Sequence, residues 1–148
     1  MNSAVRRAEA TWNGDLLSGK GVVSAVSSSS FSDLPVSWAA RTAGPEGRTS
    51  PEELLASAHA ACYCMALSNG LGQAGTPPTK LEVSAEVTFQ QIEGGWKVSA
   101  SALTVKGTVP GSDAAAFTSA AEAAKDGCPI SGALKGNVDL SVTAELVG

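Results

Sequence analysis

The chain has 148 residues, with Lys+Arg 10 against Asp+Glu 14 and a formal net charge of −4, so its length predicts a single domain spanning 1–148, and its acidic balance argues against nucleic acid, whose binding rests on cations that neutralise phosphates. Hydrophobic residues make up 43% but aromatics only 5%, so the core is built from small side chains that remove little apolar area each, and association with a second chain would help. Two arginines without an apolar h-region at the N-terminus, a longest apolar stretch (Leu54 to Leu67) broken by Ser57 and His59, and an odd three cysteines predict no membrane span, no disulfide scaffold and a reducing, cytoplasmic location.

In chain order, Ala8, Ala10 and Trp12 alternate with Glu9 and Thr11 and run into Asn13-Gly14, which predicts a strand and a turn. Val22 to Val26 predicts a second strand, Ser27 to Ser30 a solvated loop, and the segment carrying Val36 and Trp38 a third strand. Residues 42 to 50, TAGPEGRTS, read as a loop. Ser50-Pro51-Glu52-Glu53 then signals a helix start, with a capping serine, proline at the first helical position and a capping-box glutamate. Leu54, Leu55, Ala58, Ala61, Cys62 and Met65 recur at helical spacing up to Asn69-Gly70, and a helix so apolar most of the way round is expected to be central and buried.

Leu81 to Gln90 alternates cleanly and predicts a strand. Glu93-Gly94-Gly95 is a turn, and Trp96 to Lys106 is its partner strand, with a shift of apolar phase that predicts a bulge. Ser112 to Asp126 predicts a helix stopped by Gly127 as a C′ glycine, a short helix begins at Pro129, and Val138 to Leu146 closes the chain as a strand. The order βββαββααβ is an α+β pattern.

The cysteines carry the candidate chemistry. Cys62 lies about ten residues into the long helix, too far from its positive end for the dipole to lower its pKa much, so a thiolate there needs another cation. Cys128 stands at the N-cap of the last short helix, where unsatisfied N–H groups favour a thiolate directly. Cys64 lies about 200° round the helix from Cys62, so the two cannot form an unstrained disulfide, and Cys64 reads as packing. His59 precedes Cys62 by one helical turn. Cys–His catalysis and a zinc site built from His59, Cys62, Cys64 and Cys128 are both open alternatives, although no CxxC pair exists and His59 reads more simply as a helix-packing histidine.

The stretch PEELLASAHAACYCMAL, from Pro51 to Leu67, with Gly127-Cys128-Pro129-Ile130-Ser131 downstream, resembles the OsmC/Ohr family of thiol peroxidases, and the OsmC branch more than the Ohr branch. Trp12-Asn13-Gly14-Asp15, Gly19-Lys20-Gly21 and Val109-Pro110-Gly111 extend the resemblance over nearly the whole chain. It implies an intertwined α+β homodimer whose two long central helices are wrapped by antiparallel sheets. It further implies that Cys62 attacks an organic hydroperoxide or H2O2 and becomes a sulfenic acid, and that Cys128 resolves it to a disulfide. An external dithiol, such as a lipoylated protein, restores the thiols, and no cofactor or metal takes part.

Arg41 matches the family's catalytic arginine and Glu52 the carboxylate that holds it, with Arg48 the alternative if the loop alignment shifts. A guanidinium is always charged, so it can stabilise both the thiolate and the alkoxide that leaves when the O–O bond breaks. Glu52 precedes Cys62 by about 15 Å of helical rise, so a straight helix cannot bring both to one site within one chain, and Glu52 is expected to reach the partner's Cys62. Without the resemblance, Glu52 reads as a first-turn carboxylate and Arg41 as a solvated charge. Met65, Leu54, Leu55, Phe31 and Leu34 are candidates for an apolar alkyl pocket. A redox-sensing or binding protein of the same fold, with little turnover, is the alternative function.

Overall fold

The computed structural model describes residues 2–148. They form two compact units, one up to Glu53 and one from Leu54 to Gly148.

In the first unit, β1 (Ala8–Asn13), β2 (Lys20–Ala25) and β3 (Leu34–Val36) form an antiparallel sheet in sequence order. The connection after Asn13 is longer than a two-residue turn. Gly14 takes φ 97°, Asp15 Oδ1 accepts from the Ser18 N–H at 2.8 Å, and the Gly19 N–H donates to the Asp15 carbonyl at 2.9 Å. The Trp12 indole N–H donates to the Gly14 and Asp15 carbonyls at 3.1 and 3.2 Å, and a Cβ on Gly19 would run into the Asp15 carbonyl oxygen. That close approach is the reason for glycine there.

The third strand ends before Trp38, contrary to expectation, and a short helix α1 (Trp38–Thr42) follows. Ser37 stops the strand by capping this helix, its hydroxyl accepting from the Ala40 N–H at 3.1 Å. Ser37 stands between the two apolar residues that suggested a strand through Trp38, and its capacity to satisfy an orphan helix N–H prevails over the alternation. Arg41 therefore lies in the last turn of a helix.

The long helix α2 (Pro51–Gln73) starts where the three signals place it, with Ser50 Oγ accepting from the Glu53 N–H at 3.1 Å. It does not stop at Gly70 but runs one turn further, with Gly70 inside it. Its buried stripe is His59, Tyr63, Leu67 and Leu71, whereas Ala58, Ala61 and Met65 are exposed. When nearly every position is Ala or larger and apolar, periodicity carries no phase; the bulkiest side chains at spacing four decide which face goes inward.

In the second unit β4 (Lys80–Ile92) pairs antiparallel with β5 (Gly95–Thr108). The register shifts so that Thr88 faces Ala100 and Phe89 faces Val98, which leaves Ser99 as the bulged residue of β5. Phe89 and Trp96 stack across this hairpin, with ring centroids 4.9 Å apart. Next come α3 (Ala114–Gly127), α4 (Pro129–Leu134) and β6 (Asp139–Leu146). β6 lies parallel to β5, so this sheet is mixed rather than wholly antiparallel; the two intervening helices supply the long crossover that a parallel pair needs. Asp113 caps α3 by accepting from the Ala116 N–H at 2.8 Å. Gly127 is the last helical residue and not a left-handed C′ glycine; the Cys128 N–H closes the helix on the Ala124 carbonyl at 2.9 Å.

The core of this unit joins Tyr63, Leu67 and Leu71 of α2 to Leu103 and Val105 of β5 and to Phe117, Ala121 and Ala124 of α3. The buried Tyr63 hydroxyl donates to the Ala121 carbonyl at 2.9 Å, so the one tyrosine contributes apolar area and fastens α2 to α3 without leaving a polar atom unpaired. Among the described residues no helix is long and apolar enough to cross a membrane.

Candidate active site

Within the first unit, α1 and the start of α2 bring Arg41 onto Glu52. Arg41 Nε lies 3.1 and 3.2 Å from the two carboxylate oxygens, and Nη2 lies 2.7 Å from Oε1. Glu52 is nearly buried and Arg41 partly so. A forked pair of this kind holds the guanidinium plane in a fixed direction. Trp38, one turn before Arg41 in α1, places its ring 5.5 Å from the guanidinium carbon, a second constraint on its orientation. Arg48 is exposed. An apolar cavity of about 290 Å³ beside Arg41 is lined by Trp12, Leu16, Val36 and Trp38.

Within the second unit, α2 and the α3–α4 junction bring Cys62 and Cys128 together, both as free thiols. Each alters the ionisation of the other. Burial pushes the Cys62 thiol up, the Ile130 N–H opposes this, and Cys128 adds to the rise. At Cys128 burial acts in the same upward direction, but the Ser131 N–H, the Cys62 thiol, the Ser131 hydroxyl and the Ile130 N–H outweigh it, and the net shift is downward. Cys128 is the N-cap of α4 without a formed side-chain cap bond, so the first-turn N–H groups act on its sulfur as a partial positive field. The groups at the start of α4 thus favour the ionised form at Cys128, while burial disfavours it at Cys62.

Cys62 opens onto a groove of about 900 Å³ that it shares with Met65, Ala66 and Gly70 of α2 and with Ala116, Ala120 and Ala124 of α3. Cys64 points elsewhere, into a recess with Pro78, Thr79 and Lys80, and burial raises its pKa. The opposite directions of the two α2 thiols follow from the helical turn between them.

His59 is fully buried, and neither of its ring nitrogens is left for a metal. Nδ1 lies 2.6 Å from Ser101 Oγ and Nε2 lies 2.8 Å from Ser131 Oγ. Burial lowers its pKa, so the ring is held neutral. Among the described residues no group of three or more His, Cys, Asp and Glu is placed to hold a metal ion, which leaves the zinc alternative without support. No local feature assigns a role to Ser101, and Ser131 stands out only as the last residue of the Gly127-to-Ser131 stretch, at the third position of a helix capped by a cysteine.

The family model described as OsmC-like protein matches residues 44–143. The chain is 40% identical over 135 residues to peroxiredoxin OsmC of Escherichia coli (strain K12), covering 91% of this chain and 93% of that one. It is 31% identical over 121 residues to the organic hydroperoxide resistance protein of Xanthomonas axonopodis pv. citri (strain 306), covering 80% and 83%. The crystal structure of the organic hydroperoxide resistance protein OhrB of Bacillus subtilis superposes with a TM-score of 0.73 at 26% identity, over 95% of this chain and 98% of that one. With sequence and fold matched along most of its length, this chain belongs to the OsmC-like family.

Proposed function

We propose that this protein is a cofactor-free thiol peroxidase that reduces organic hydroperoxides and H2O2, with residues 1–148 acting as one domain. The observation that carries the reading is the pairing of Cys62 with Cys128, two free thiols from α2 and the α3–α4 junction that influence each other's ionisation. The printed names of the relatives, peroxiredoxin and organic hydroperoxide resistance protein, support an enzyme of this class.

In the proposed cycle the Cys62 thiolate attacks the terminal peroxide oxygen, the O–O bond breaks, and the leaving alkoxide takes up a proton to become the alcohol. Cys128 then attacks the Cys62 sulfenic sulfur, the S–O bond breaks and water leaves, so the two-electron oxidation ends as a Cys62–Cys128 disulfide. An external dithiol, of the kind a lipoylated protein carries, returns both thiols. Because burial holds the Cys62 thiol up, Cys62 needs a cation to become the attacking thiolate. Arg41 supplies it, oriented by Glu52. Along α2 Glu52 and Cys62 are separated by about 15 Å of rise, so the reading places Arg41 and Glu52 of one chain at Cys62 of a second chain in a homodimer.

One equivalent of cumene hydroperoxide added to reduced protein is expected to remove two hydrogens rapidly, traced by peptide mapping to a Cys62–Cys128 disulfide and abolished in Cys62→Ser. No change within minutes would sink the peroxidase. The raised Cys62 pKa would then favour a slowly oxidised sensor or binding protein of the same fold.

A further inference from the structure

His59 is a buried titratable group that the proposed cycle leaves unused. It is neutral, fully enclosed and bonded at both ring nitrogens. Its neighbours come from two separate elements, Ser101 from the middle of β5 and Ser131 from the first turn of α4, and both serines are themselves buried. A histidine that served only as packing would need one polar partner per nitrogen, and a backbone carbonyl or water would do. Here each partner is a hydroxyl, which both accepts and donates. Ser131 also stands three residues after Cys128, at the helix position whose groups face the N-cap side chain.

The hydrogen-bond directions along this line are tied to the state of Cys128. The Ser131 hydroxyl, three residues after Cys128, acts on that thiol and favours its ionised form; a thiolate sulfur only accepts, so toward it the Ser131 O–H is the donor. The Ser131 oxygen then accepts from His59 Nε2–H, which leaves Nδ1 to accept from the Ser101 O–H. Every donor in the sequence Ser101, His59, Ser131 then points toward Cys128, and donors aligned in this way polarise one another in a low-dielectric interior.

We propose that His59 and Ser131 are positioning residues for the resolving step: neutral His59, anchored on Ser101, locks the Ser131 hydroxyl as a donor to Cys128, and thereby supplies the thiolate that attacks oxidised Cys62. This deepens the peroxidase reading and rests on it for the step affected, though the ionisation it describes does not require turnover. The balance is unchanged. The proton given up by Cys128 leaves with the sulfenic hydroxyl as water, and no further oxidant or reductant enters.

The titratable groups that face Cys128 are Cys62 and Tyr63 from α2, with His59 behind Ser131. Glu122 of α3 acts on Tyr63, and β5 contributes the Ser101 hydroxyl. Tyr63 is pushed up beyond the ordinary tyrosine range by burial, so it stays un-ionised while the thiol titrates.

The test is a pH titration of thiolate ultraviolet absorbance in full-length Cys62→Ser/Cys64→Ser, which leaves Cys128 as the one thiol. Adding Ser131→Ala is expected to raise the midpoint by about one pH unit or more, Ser131→Thr to restore it, and His59→Leu to raise it with Ser131 intact. His59→Gln, whose amide can donate to Ser131 and accept from Ser101, is expected to recover part of the shift even if His59→Leu folds poorly. In the otherwise unmodified chain, Ser131→Ala is expected to slow disulfide formation about tenfold after a peroxide pulse, with the rate of Cys62 sulfenic acid formation unchanged. A midpoint that moves in none of the three variants Ser131→Ala, His59→Leu and His59→Gln overturns the proposal. Absence of Cys62 oxidation in the unmodified chain overturns the peroxidase reading instead, and the titration still decides the role of His59.

Discussion

Four side chains form two tight pairs, and the chemistry depends on what each pair fixes. Arg41 is aimed by a forked contact with Glu52 and by Trp38, so Arg41→Ala removes a preorganised charge while leaving Cys62 and Cys128 in place. The second-order rate of peroxide attack, followed by stopped flow, is expected to fall about 10²- to 10³-fold, with the melting temperature little changed; an unchanged rate would remove Arg41 from the mechanism. His59 carries a separate expectation. Its folded pKa lies below the ordinary histidine value, so between the two values the unfolded chain binds more protons than the folded one. Stability from this group is therefore complete above about pH 6.5 and is lost as pH falls toward the depressed folded value. Thermal melting from pH 7 down to pH 4 should show this acid loss, and it should flatten in His59→Gln; a parallel curve would mean that other groups dominate. The cysteines were legible as candidates because their residue type and the helix start at Pro129 are written in short stretches, whereas Arg41 and Glu52 entered only through the resemblance to the OsmC/Ohr family. Ser101 and Ser131 were not legible, because they meet His59 across 42 and 72 residues of chain.

At the scale of elements, capping chemistry decided more than alternation did. Ser50 and Asp113 start α2 and α3 with side-chain bonds to backbone N–H groups, and α1, the helix that carries Arg41, hangs on Ser37. Ser37→Ala is expected to cost about 1 kcal/mol and, since α1 has only five residues, to loosen the direction of Arg41 along with it. A fall in peroxide rate larger than the loss of stability, measured on the same samples, would bear this out; a loss of stability alone would show that Glu52 and Trp38 suffice to hold the guanidinium. The β5–α3 contact has a comparable dependence on one residue. A Cβ on Gly107 would run into the Phe117 ring, so a glycine in mid-strand, usually a weakness, is here the condition for the helix to lie down on the sheet.

For the whole molecule, the long helix poses the question of what covers it. Its inner stripe is buried in the core of the second unit, but Ala58, Ala61 and Met65 face outward, and Met65 is 68% exposed. Together with the groove beside Cys62, this apolar face supports the proposed homodimer, in which a second chain covers the helix and supplies Arg41 and Glu52. Sedimentation at micromolar concentration is expected to give a dimer, and a monomer there would remove the cross-chain arrangement. The sequence by itself determined the α+β order apart from α1, the hairpin and its bulge, the starts of α2 and α4, and the placing of Cys128 at a helix N-terminus, because each rests on interactions between residues near in sequence. Only the tertiary structure decided which face of α2 is inward, that β6 runs parallel to β5, and that His59 is clasped by two serines. Those outcomes depend on which distant groups arrive at the same place, and an alanine-rich helix or a lone serine carries no local mark of its neighbours.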